Sequence, residues 1–171
     1  MRVCTRFFVV RDPASVRISR DKVAKIAATW GIRLDDGTRL ALATVVSELV
    51  TNAVQHASGE TLTIGVSANR YRERLLVEVY DESSMLPRPR TVGPDAESGR
   101  GMLLVERLAR RHGSEVTEHG KRVWAELALP EQPLTRRELS FRPRPLRLCG
   151  IWRSSRSAVP TASGGPSRSA S

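Results

Sequence analysis

The sequence predicts an α+β fold, a two-layer α/β sandwich with a mixed, mostly antiparallel sheet and helices on one face. Three observations predict it. Segments of strand and helix period follow one another in the order β-α-α-β-β-loop-α-β-β. Two pairs of strands are joined by short polar turns, and such sequential hairpins favour antiparallel pairing with the helices gathered on one side. The composition, 40% hydrophobic but only 5% aromatic, provides a core that aliphatic side chains must fill.

Val3 to Val10 is apolar and β-branched enough for a first strand. Asp12-Pro13 then starts a helix, since Asp can cap and Pro suits the first helical position. Val16, Val23, Ile26, Ala27 and Trp30 recur at helical spacing, and Gly31 ends the run. Asp35 or Asp36 caps a second helix reaching about His56, with Leu42, Val45, Val46, Leu49, Val50 and Ala53 on its buried side, and Ser58-Gly59 breaks it. Thr61 to Val66 alternates as a half-buried strand does; Arg70 to Arg74 is a polar turn; Leu75 to Tyr80 is the next strand, ending at Asp81. Glu82 to Gly99, with Pro87, Pro89, Gly93 and Pro94, has no sustained period and reads as a long loop, a class often functional. Met102 to Arg111 gives a third helix. Ser114 to Glu118 and Val123 to Leu129 form a second hairpin turning at His119-Gly120.

Periodicity stops after Pro130, so two parts are expected: a folded domain over 1–130 and a Pro-, Arg- and Ser-rich tail over 131–171, largely disordered. The net charge of +10 is concentrated in that tail: residues 1–130 hold 20 Lys and Arg against 16 Asp and Glu, and residues 131–171 hold 8 against 2. A basic tail can attract nucleic acid, but no recognition-helix motif or aromatic-interleaved basic patch accompanies it, and a solvated tail is the simpler reading. Two distant cysteines, Cys4 and Cys149, give neither a disulfide framework nor a zinc spacing. Met1-Arg2-Val3 begins no apolar leader, and no apolar run approaches the ~18 residues of a membrane span. A cytoplasmic protein without membrane association is the expectation.

Glu48, Asn52 and His56 stand at i, i+4 and i+8, which stacks them along one face of the second helix, roughly opposite its aliphatic side. A carboxylate can accept a proton, and an amide oxygen can ligate a hard cation such as Mg²⁺. Such a stripe is also what a wet helix face looks like. Asp81, at a strand end, can accept a hydrogen bond from an amino group such as that of adenine, or simply serve a turn. Gly99-Arg100-Gly101-Met102 opens the third helix. Its glycines permit positive φ and close approach of a ligand, and the aligned amides of a helix start attract phosphate, with Arg100 adding a cation.

In this order the features resemble the GHKL (Bergerat) ATPase superfamily, and within it the anti-sigma-factor serine-protein kinases, most closely the short ATPase-like regulators of actinobacteria. Val46 to His56, Gly99 to Val105 and Val123 to Leu127 carry the resemblance, which covers roughly residues 10–130. It implies ATP and Mg²⁺ as cofactors. Asn52 would hold Mg²⁺ against the phosphates, and Glu48 would act as general base on an incoming hydroxyl. Asp81 would bind the adenine amino group, and Gly99 and Gly101 would hinge a lid over the phosphates. Arg100 and Met102 belong to the same nucleotide-binding stretch, and His56 ends the same helical face without a stated chemical role. It further implies a sigma factor and an anti-sigma antagonist as partners, and a homodimer as assembly.

The sequence departs from the family where Asp81-Glu82-Ser83-Ser84-Met85 keeps the Asp of an Asp-x-Gly-x-Gly box without its glycines. Arg122 takes the place of a Thr that helps bind adenine. Two functions follow: a serine/threonine kinase that phosphorylates the antagonist and controls transcription by partner switching, or a non-catalytic ATP-sensing interaction module with a degenerate adenine site.

Overall fold

A computed structural model describes residues 2–82 and 100–132. Five strands, β1 (Arg2–Val10), β2 (Thr61–Asn69), β3 (Arg74–Asp81), β4 (Arg111–Thr117) and β5 (Gly120–Ala128), form one sheet in the order β1-β2-β3-β5-β4. All four pairings are antiparallel. Three helices, α1 (Ala14–Thr29), α2 (Asp36–His56) and α3 (Arg100–Leu108), complete the α+β sandwich, with a 3-10 turn at Arg70–Arg72 joining β2 to β3. The loop from Ser83 to Gly99 and the tail beyond Gln132, with Cys149, lie outside the described residues.

Alternation along each strand separates two sheet faces. Phe7 and Val9, Ile64 and Val66, Val77 and Val79, and Val123 and Ala125 point to the helical side and are buried in one aliphatic core. From α2, Leu42, Val45, Val46, Leu49, Val50 and Ala53 enter the same core, the six residues that helical spacing selects. α2 is the central helix. It packs on α1, on α3, and on β3 and β5.

The helix ends follow their local chemistry. The Asp12 carboxylate accepts from Ala14 N–H at 2.8 Å, just ahead of α1. α1 closes in a Schellman arrangement: Ile32 N–H donates to Ala27 C=O at 3.0 Å and Gly31 N–H to Ala28 C=O at 2.9 Å. Gly31, at φ 67°, supplies the left-handed residue this requires. Asp35 caps α2, accepting from Thr38 N–H at 2.6 Å, and that bond holds its carboxyl below the usual carboxylate range. At the other end of α2, Arg11 donates from Nε to Gly59 C=O at 2.6 Å and from its guanidinium to Val54 C=O at 3.3 Å, so a cation from the end of β1 meets the negative helix terminus.

Several boundaries differ from the sequence expectation, with β2 running on to Asn69 and β5 starting at Gly120. α3 begins at Arg100 and ends at Leu108, and β4 begins at Arg111 instead of Ser114. Arg110 N–H donates to Glu126 C=O of β5 at 2.8 Å, which draws the chain into the sheet three residues early. Gly113 then sits under the Trp124 ring, where a Cβ would be crowded.

Candidate functional site

The site is built where α2, α3 and the ends of β3 and β5 meet. Glu48 and Asn52 lie one turn apart on α2 and both are half-buried, so this stretch is no simple wet face. Glu48 is covered by α3: a Cβ added to Gly101 would overlap the Glu48 carboxylate. The amide nitrogen of Asn52 is buried without a hydrogen-bond partner among the described residues, a cost that a buried polar atom normally does not carry. His56 is the exposed last residue of α2, where an imidazole complements the helix C-terminus.

Gly101 stands inside α3 and is not among the glycines with positive φ. Its lack of a side chain lets the first turn of α3 close on Glu48. Arg100 is the first residue of that helix, and Gly99 lies outside the described residues. Met102 is half-buried and packs against the core beside fully buried Val105, which anchors the helix.

Asp81 ends β3 on the helical side of the sheet, in register with Lys121 of β5. Their carboxylate and ammonium are 3.5 Å apart, with side chains 0% and 2% exposed. The pair is placed by Gly120, whose φ of 142° and closeness to the Asp81 carbonyl leave no room for a Cβ. Burying a lysine this completely is costly unless an anion lies beside it, so this pair is a committed feature of the site.

The family resemblance sets Arg122 in the place of a Thr that helps bind adenine and gives Lys121 no part. Arg122 points to the opposite face of the sheet, where it meets Glu78 at 3.0 Å and Glu115 at 3.2 Å. Successive strand residues face opposite ways, so a reading one residue out of step moves the side chain to the wrong side. Counting in twos back from buried Val123 would have found Lys121 on the core face.

Among the described residues no cluster of three or more His, Cys, Asp or Glu is arranged to hold a metal. A cation at Asn52 would therefore take most of its oxygens from a ligand and water, as Mg²⁺ bound with nucleotide phosphates does. The buried, unpartnered Asn52 amide nitrogen is a donor that suits a phosphate oxygen, which leaves the amide oxygen of the same side chain as the atom that would ligate the cation.

The family model for the histidine kinase-like ATPase domain matches residues 9–127. The chain belongs to this family. The match runs from the end of β1 through β5 and includes Glu48, Asn52, Asp81 and Gly99 to Met102. Membership in this ATPase family implies ATP binding, and the antiparallel sheet with three helices agrees with its GHKL-type architecture. No curated protein gives a significant match to the chain. Among the described residues no helix is long and apolar enough to cross a membrane.

Proposed function

We propose that this ATPase-family protein is an anti-sigma regulator: a serine/threonine protein kinase that binds ATP and Mg²⁺, phosphorylates an anti-sigma antagonist, and controls transcription by partner switching in the cytoplasm. The observation that carries the reading is the junction of α2 and α3, where the Glu48 carboxylate meets Gly101 one turn from the unpartnered amide nitrogen of Asn52. In this reading Asn52 ligates Mg²⁺, which, when bound, neutralises phosphate charge. Asp81 accepts from the adenine amino group. Arg100 and the amides at the start of α3 hold phosphate oxygens, with Met102 fixing the helix to the core. His56 closes the α2 side of the site. Glu48 accepts the proton of the incoming serine or threonine hydroxyl. Phosphoryl transfer asks mainly for positioning and charge neutralisation, which this set supplies.

Calorimetric titration with Mg²⁺ and ATP tests the binding half. Wild type is expected to bind and Asn52→Ala to lose at least about tenfold in affinity, a difference of about 1.4 kcal/mol. Retained affinity in the variant would show that the metal assignment is wrong. Transfer of labelled phosphate to an antagonist, abolished by Glu48→Ala, tests the kinase half.

One observation favours the second reading, a non-catalytic ATP-sensing module: Asp81, the adenine acceptor, is already engaged by Lys121. In that case nucleotide only shifts a protein–protein equilibrium. Binding without turnover, together with a sigma-factor or antagonist affinity that changes with ATP, is its signature.

A further inference from the structure

Lys121 and Asp81 face each other across β5 and β3, 3.5 Å apart, both buried and both on the helical side of the sheet. Lys121 is the largest fully buried side chain among the described residues. The neighbouring cation of β5, Arg122, is turned to the far face and held there by Glu78 and Glu115. At the strand end the site therefore presents a carboxylate, which only accepts hydrogen bonds, beside an ammonium, which only donates them.

A purine base distinguishes these two arrangements. Adenine offers an amino donor next to the N1 acceptor. Guanine offers N1–H and an amino group as donors next to the O6 acceptor. A carboxylate alone suits the adenine amino group and repels guanine O6, so a lone acid discriminates by an unfavourable contact as well as a favourable one. An ammonium beside it removes the repulsion. Lys121 can donate to adenine N1 while Asp81 accepts from the 6-amino group, or, with the base turned over so that its 1- and 6-positions exchange places, donate to guanine O6 while Asp81 accepts from N1–H.

We propose that Lys121 is a base-recognising residue that, with Asp81, opens the nucleotide site to guanine as well as adenine nucleotides. The inference rests on the reading of Asp81 as the base acceptor. The Gly120 backbone, packed on the Asp81 carbonyl, fixes the strand so that Lys121 and not Arg122 faces the acid.

The test is equilibrium binding of Mg²⁺–ATP and Mg²⁺–GTP to the full chain, with wild type, Lys121→Thr and Lys121→Met compared side by side. Wild type is expected to bind both within about tenfold of each other. Each variant should shift the preference toward ATP by at least about tenfold, because guanine O6 then faces an unshielded carboxylate. A wild type that prefers ATP by more than about a hundredfold overturns the proposal without any variant, which keeps it testable if the substitutions unfold the chain. Folded variants with an unmoved ATP to GTP ratio overturn it too, and reduce Lys121 to a structural ion-pair partner while ATP binding itself stands. A wild type that binds neither nucleotide removes the ATP-binding reading, and this proposal with it.

Discussion

Two glycines at the site answer to different constraints, and the difference decides what substitution does. At Gly101 a methyl would meet the far end of the Glu48 side chain, which can swing away. Alanine is also a better helix former than glycine by about 1 kcal/mol. Gly101→Ala is therefore expected to leave thermal stability nearly unchanged while displacing the Glu48 carboxylate from the start of α3. At Gly120 a methyl would meet backbone, the Asp81 carbonyl, at a φ of 142° that side chains rarely adopt. Neither constraint relaxes by rotating a side chain, so Gly120→Ala is expected to cost about 1–3 kcal/mol. Paired denaturation curves check this, and equal losses at the two positions would contradict it.

Glu78 carries the second residue-scale prediction. It is fully buried on the far face of the sheet, and that burial raises its carboxyl above the ordinary value of 4.5, against the opposing pull of Arg122, Tyr80 and Arg6 and with some help from Glu115. A raised folded value means the folded chain keeps a proton that the unfolded chain has released. Stability therefore falls as pH rises from about 4.5 through that window, and the loss stays constant above it. Glu78→Gln, which keeps an acceptor for Arg122, should flatten this decline in denaturant titrations across the window. Parallel pH profiles for the two proteins would count against it. Asp35 works in the opposite sense: its lowered carboxyl adds stability that is lost as pH falls below 3.8.

At the scale of elements, α2 was the most legible part of the chain because one signal served two ends. Its aliphatic positions define the core face, and the residues between them include Glu48 and Asn52. Asp35 announced its start through a cap that formed. Its central place makes it the helix least able to lose volume. Leu49, fully buried between α2 and the sheet, is expected to cost about 2–5 kcal/mol on change to Ala. Exposed Leu40, on the same helix, should cost far less. Denaturant midpoints for the two variants compare them directly. The less legible elements are those whose bounds depend on partners distant in sequence. β4 starts where Arg110 finds Glu126, and the facing of β5 is set by its register with β3, which placed Lys121 and not Arg122 beside Asp81. The part played by Gly101 was hidden for the same reason, since its constraint is a carboxylate on another helix.

Across the whole molecule, the chain closes on itself through a residue that no motif marked. Gln132 is 7% exposed. Its side chain accepts from Arg33 N–H at 2.9 Å, and donates to Arg33 C=O and Pro130 C=O, each at 2.8 Å. Arg33 lies in the short connection between α1 and α2, so this amide ties the segment leaving β5 to the turn between the first two helices, 99 residues away. The contacts of the folded part thus reach two residues beyond Pro130, where the sequence periodicity ends. The amide satisfies both polar groups of the Arg33 backbone at a part-buried junction. Gln132→Ala removes both partners at once and leaves those groups to find others, which predicts a loss of about 1–3 kcal/mol. Exposed Glu131, changed to Ala, should leave stability within about 0.5 kcal/mol. Hydrogen exchange at the Arg33 amide gives a second readout, because protection there should fall in Gln132→Ala further than in the core strands. If the two alanine variants melt together and Arg33 exchanges alike in both, the clasp contributes nothing, and the connection between α1 and α2 is held by Ile32 and its core neighbours alone.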